Sequence, residues 1–235
     1  MNYYQKNKNR IWQIDFARGI AVIAMVALNA VILFSFFGLI DFNVTPLIFP
    51  SIVTASIFIF LAGISLVLSY RKHKSLKHNI MRGAKIFVYG LTVTAVSLFV
   101  ASNYAILFGI LHLIGLSIII SSLFIKFKRF NVFIGTMIIV VGFIFQDIII
   151  NNPLLVWLGI KFVGFQTLDY FPLFPWLGIM LIGIAIANIF ISAKKKTKAP
   201  KDYLAPICFL GRKSLLIYFL HVIIILAIVG ILNYL

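Results

Sequence analysis

Polar residues are sparse along this chain. They divide it into long apolar blocks, and those blocks predict its elements. Seven blocks are long enough to cross a bilayer: residues 16–38, 47–70, 86–101, 106–125, 132–150, 173–192 and 208–233. About 20 apolar residues rising ~1.5 Å each cover the hydrocarbon layer. The third block is the shortest. The pattern predicts an all-α integral membrane protein: a bundle of about seven transmembrane helices in a single domain over residues 1–235. Residues 151–172 break the pattern, because they are too apolar for a solvated loop. Trp157 and Tyr170 suit the membrane interface, so this stretch is expected to lie flat or re-enter.

Composition agrees with this reading. The chain is 63% hydrophobic and 11% charged, with a mean hydropathy of +1.11, and a soluble core does not account for that. The net charge of +16 would suggest nucleic acid in a soluble protein. Here the basic residues sit in short connections between apolar blocks, where they set topology instead. Lys6, Lys8, Arg10 and Arg18 begin the chain. Arg71, Lys72, Lys74, Lys77, Arg82 and Lys85 form the loop after the second block. Lys126, Lys128 and Arg129 follow the fourth. Lys194, Lys195, Lys196, Lys198, Lys201, Arg212 and Lys213 follow the sixth. Only Lys161 falls on the other side. The N-terminus is therefore expected in the cytoplasm and the C-terminus outside, in a multi-pass protein of the cytoplasmic membrane. Its surroundings are membrane lipid, with no nucleic-acid partner. The opening MNYYQKNKNR resembles the basic region of a signal peptide, but the apolar block that follows is too long for one. Cys208 is the only cysteine, so an internal disulfide and a cysteine metal site are both excluded.

The informative residues are the polar ones at depth. Asp15 and Arg18 share a helix face at the start of the first block and can pair. One reading is an interfacial salt bridge with Arg18 snorkelling; the other is a receptor for phosphate. Asn29 lies about 16 Å deeper than Arg18, and His221 about 13 Å beyond Arg212. With His112 in the fourth block, these residues either hydrogen-bond between helices or form a proton-handling site. No carboxylate stands at ligand spacing from the histidines, and His73 and His78 lie in a basic loop, so no metal site is expected. Gly178, Gly183, Ala185 and Ala187 predict close helix packing, and this small-residue stripe is a candidate surface for a homodimer.

Five motifs then occur in order. They are DFARGIAVIAMV at 15–26, FLAGISL at 60–66, FGILHLIG at 108–115, DYFPLFPWLG at 169–178 and LGRKSLLIYFLH at 210–221. Together they resemble the heparan-α-glucosaminide N-acetyltransferase-like family of transmembrane acyltransferases, in its compact prokaryotic form. The resemblance implies transfer of an acyl group, acetyl in the first instance, from cytoplasmic acyl-coenzyme A to a sugar or glycolipid acceptor on the outer face. It implies acetyl-coenzyme A as co-substrate and no metal. Arg18, Asp15, Arg212 and Ser214 would bind the coenzyme. Asn29 would hold the thioester oxyanion, and His112 would act as general base with His221 as helper. Many relatives carry histidine where this chain has Asn29, so the resemblance implies that either His112 or Asp41, the nearest titratable group beyond it, takes over as the catalytic group, or that the transferase chemistry is lost. The departure keeps a second reading open: a non-catalytic carrier or partner subunit on the same fold.

Overall fold

A computed structural model describes residues 11–191 and 200–233. The expected basic residues Lys6, Lys8, Arg10, Lys194, Lys195, Lys196 and Lys198 lie outside the described residues. Among the described residues there are seven α-helices: α1 Trp12–Phe36, α2 Thr45–His73, α3 Leu76–Val100, α4 Ile110–Phe124, α5 Phe130–Phe145, α6 Leu173–Phe190 and α7 Ala205–Asn233. No strand occurs among them beyond two isolated bridges. Six of the helices are long and apolar enough to cross a membrane, α4 counting with the 3-10 turn that extends it to Phe127; α5 is a shorter apolar helix. The protein is therefore an all-α, multi-pass membrane protein.

One boundary departs from the sequence expectation. The basic loop expected from Arg71 to Lys85 is almost entirely helical, and α3 begins ten residues earlier than the apolar block at 86 suggests. Only Lys74 and Ser75 remain between α2 and α3. Lysine and arginine are good helix formers, and their long stems let the charge leave the apolar layer while the backbone stays helical. Hydropathy marks where lipid ends, and here the helix continues past that point.

The chain forms two compact units: residues 1–58 with 191–235, and residues 59–190. In the first, α1 packs along α7. The two backbones touch, because a Cβ on Gly19 would strike the Ile207 carbonyl and one on Gly211 would strike the Asp15 carbonyl. Cys208 lies over the Trp12 carbonyl, with its Sγ 3.8 Å from that oxygen. Gly211 lies over the turn from Asp15 to Gly19. The contact advances along both helices together, so α1 and α7 run in the same direction.

In the second unit α3 lies antiparallel to α4. Gly90 receives the His112 ring, and Gly83 meets the Gly115 carbonyl and the side chains of Ile118 and Ile119. Gly135 of α5 and Gly178 of α6 each face the other's carbonyl, and Gly183 faces that of Phe60. Ala185 and Ala187 are fully buried. The small residues of α6 thus serve packing within the chain, and the stripe is occupied rather than offered to a second copy. Arg71 donates to the Ala187 carbonyl (3.3 Å) and to Asn188 Oδ1 (3.2 Å). That satisfies carbonyls which every helix leaves unpaired at its end.

The stretch at 151–172 contains no α-helix. A 3-10 turn, Pro153–Leu158, is capped by Asn152, whose Oδ1 accepts from the Leu154 N–H. The Tyr170 hydroxyl donates to the Val156 carbonyl at 2.8 Å, and burial raises its pKa to about 12. It is a permanent donor, and it pins the turn.

Two outcomes follow from this packing. Gly211→Leu forces α1 and α7 apart and should cost about 3 kcal/mol or more, read as a loss of thermal stability in detergent. Tyr170→Phe removes one hydrogen bond and should cost about 1 kcal/mol, with the helical circular dichroism unchanged.

Candidate functional site

The expected site residues fall in two places, one in each unit. Six of them lie on the α1–α7 pair. Along α1, Asp15, Gly19, Val22, Met25 and Leu33 are buried. Asn29 continues that stripe, seven positions after Val22 and four before Leu33, and is half-buried. Along α7 the matching stripe is Gly211, Ser214, Tyr218, His221, Ile225 and Val229, all buried.

Asp15 is a carboxylate with only 4% of its surface exposed. It stands in the first turn of α1, where the helix dipole favours negative charge. Arg18 immediately precedes the Gly19 contact and Arg212 immediately follows the Gly211 contact, so one guanidinium leaves the crossing from each helix. Both are half-buried. Arg212 also lies over the Phe209 ring, 5.4 Å from its centroid, a cation–π contact that holds the charge against the helix. Ser214 is 3% exposed.

Asn29 is ten positions past Gly19, and His221 is ten past Gly211. Because the helices are parallel, both lie about 15 Å beyond the crossing. His221 is 8% exposed. Both its ring nitrogens are buried, and its polar contacts are weak ones to the backbone of Tyr218 and Ile217, one turn back on α7. Its ring packs edge-on against Tyr218, 4.8 Å between centroids. Asp41 lies elsewhere, exposed in the connection between α1 and α2.

His112, in the other unit, is engaged on both sides. It is the third residue of α4, and its Nδ1 accepts from the Gly109 N–H at 3.3 Å. The next free N–H of the helix, Ile110, donates to Asp169 Oδ2 at 3.2 Å. Thr94 of α3 donates its hydroxyl proton to the Ile106 carbonyl (2.5 Å), which leaves its oxygen to accept from His112 Nε2–H at 3.2 Å. This network assigns the tautomer with the proton on Nε2. Phe108 stacks on one face of the ring and Phe87 meets it edge-on. The arrangement caps α4, a chemistry that helix N-termini demand.

The segment that supplies Asp169 is itself tied down. Thr167 donates to the Ala105 carbonyl (2.8 Å), Leu168 N–H to Tyr104 (3.0 Å) and Phe171 N–H to Phe108 (3.0 Å). The DYFP motif flagged Asp169 in the sequence without a role. Thr94 gave no signal at all, being one threonine among apolar residues.

No group of three or more His, Cys, Asp or Glu that could hold a metal ion occurs among the described residues. Residues 10–223 match the family described as heparan-alpha-glucosaminide N-acetyltransferase, catalytic. No curated protein and no solved structure matches the chain.

Thr94→Val leaves His112 Nε2–H and the Ile106 carbonyl without their partner, and should cost about 1–3 kcal/mol. Asp169→Ala removes a cap, worth about 0.5–2 kcal/mol. Thermal unfolding in detergent measures both.

Proposed function

Because the chain belongs to the heparan-alpha-glucosaminide N-acetyltransferase catalytic family, we propose that it is a membrane acyltransferase. It takes an acyl group, acetyl in the first instance, from acyl-coenzyme A on the cytoplasmic side. It passes that group to a sugar or glycolipid acceptor on the outer face. The match over residues 10–223 carries this reading.

The α1–α7 pair supports a division of labour. Arg18 and Arg212 flank the crossing and suit the phosphates of the coenzyme, which guanidinium groups hold by paired hydrogen bonds. Buried Asp15 and Ser214 shape that end. The pantetheine arm then runs along the helices to the level of Asn29 and His221. There the acceptor's hydroxyl or amine attacks the thioester carbonyl. His221 takes the acceptor's proton as the new C–O or C–N bond forms. The Asn29 amide donates to the oxyanion. When the C–S bond breaks, His221 returns the proton to the coenzyme thiolate.

His221 stands ahead of His112 for the base because only weak contacts to the backbone of its own helix engage its nitrogens, whereas those of His112 cap α4. In this reading His112 is a positioning residue. Termini in the cytoplasm and outside, respectively, remain part of the same proposal, and rest on the distribution of Lys and Arg.

Acetyl-coenzyme A should raise the thermal stability of the detergent-purified protein. Stabilisation by mass action reaches about 2.7 kcal/mol at a hundredfold excess over the dissociation constant. Arg18→Ala and Arg212→Ala should each weaken that response. His221→Ala should keep it and lose transfer by about 10²–10⁴-fold. No response at millimolar coenzyme in a folded protein would overturn the acyltransferase reading and leave a carrier or partner subunit in its place.

A further inference from the structure

The two exposed histidines meet at the corner between α2 and α3. Lys74 adopts the left-handed conformation, with φ of 51°. Ser75 accepts from the His78 N–H at 3.2 Å and caps α3. This two-residue turn lays the last turn of α2 against the first turn of α3. The His73 and His78 rings stack there, with centroids 4.1 Å apart and planes 27° from parallel.

Everything charged around them is positive. Lys72, Lys74 and Lys77 are exposed beside the pair. On α3, positions 78, 82 and 85 fall on one face, which adds Arg82 and Lys85. Arg71 is turned away to the end of α6. The turn after α4 brings Lys126, Lys128 and Arg129 to the same end of this unit, all exposed. The chain has only five acidic residues. Of the two in this unit, Asp169 caps α4 at the end remote from the corner. Asp147 follows α5, beyond the contact of Gly142 with Pro175 at the start of α6, and so lies at that remote end too. Among the described residues of this unit, no carboxylate faces the corner.

Two further observations point to a ligand. Arg82 is only half-exposed at most, yet it makes no hydrogen bond or ion pair among the described residues. Asn79, next to His78, is fully buried. Its Oδ1 accepts from Ser69 Oγ at 2.9 Å, but its Nδ2 has no partner among the described residues. The lysines and the Arg82 guanidinium concentrate positive charge beside the stacked imidazoles, a setting that an anion stabilises. The N-terminus of α3 points its free N–H groups the same way.

We propose that the α2–α3 corner binds a phosphate ester, with His73, His78, Lys72, Lys77 and Arg82 receiving its oxyanions. A nucleotide phosphate and an anionic lipid headgroup share this chemistry. The site stands independently of the acyl-transfer reading.

The chain has four histidines, two of them buried, so proton NMR of the imidazole C2–H signals reads the corner directly. His73→Gln and His78→Gln assign the two exposed signals. The purified full chain is titrated in a zwitterionic detergent with adenosine 3′,5′-bisphosphate. It is titrated separately in phosphatidylcholine nanodiscs with and without phosphatidylglycerol. Sodium chloride at equal ionic strength is the control. A nearby dianion favours the charged imidazole, so the midpoints of both signals should rise by about half a pH unit or more. The rise should fall by at least half in Lys72→Gln/Lys77→Gln, whose circular dichroism checks the fold. A rise with the bisphosphate alone assigns a nucleotide ligand, and a rise with phosphatidylglycerol alone assigns a headgroup. Midpoints that move no further than in chloride with either probe overturn the proposal.

Discussion

Where Gly19 of α1 meets Ile207 and Gly211 of α7 meets Asp15, two helix backbones touch with no side chain between them. In lipid there is little hydrophobic gain in bringing helices together, so van der Waals contact between backbones becomes a main source of association. The same contact fixes register. Once Gly211 rests on the turn from Asp15 to Gly19, the neighbours Arg18 and Arg212 are both at the crossing. Asn29 and His221, each ten positions on, are then at one level. A site in a membrane bundle needs polar groups from separate helices at a common depth, and this contact sets that depth.

The two buried histidines differ in a way that their residue type conceals. His112 gives Nε2–H to Thr94 and accepts the Gly109 N–H at Nδ1, so it completes a helix end. His221 has its ring against Tyr218 and only weak contacts to the backbone of its own helix. Inside an apolar layer a polar atom left without a good partner is expensive. The contrast separates an imidazole built into a helix end from one held only by its own helix.

Much of the architecture was legible because lipid imposes a simple rule: every spanning segment must satisfy its backbone internally and show apolar side chains outward. That rule revealed seven helices, including the short α5. It failed at the start of α3, where Lys77, Arg82 and Lys85 ride on a helix that hydropathy had ended. The stretch at 151–172 broke the apolar pattern, but its tether from Tyr170 to Val156 depends on a fold-level approach that no local pattern encodes. The family motifs located His112 and Asp169 but not their connection through the α4 N-terminus, since Thr94, Gly109 and Asp169 come from three separate segments. The stripe of small residues on α6 was visible, whereas its occupant, the backbone of α5 and α2, was not.

The most direct test of this account is a distance between Asn29 and His221. Cys208 is the only native cysteine, so Asn29→Cys and His221→Cys in a Cys208→Ser background accept a pair of spin labels. Parallel helices touching at Gly19 and Gly211 place the two labels within about 20 Å of each other by electron–electron double resonance. A separation of about 30 Å or more would mean that α1 and α7 leave the crossing in opposite directions. Asn29 and His221 would then share no site.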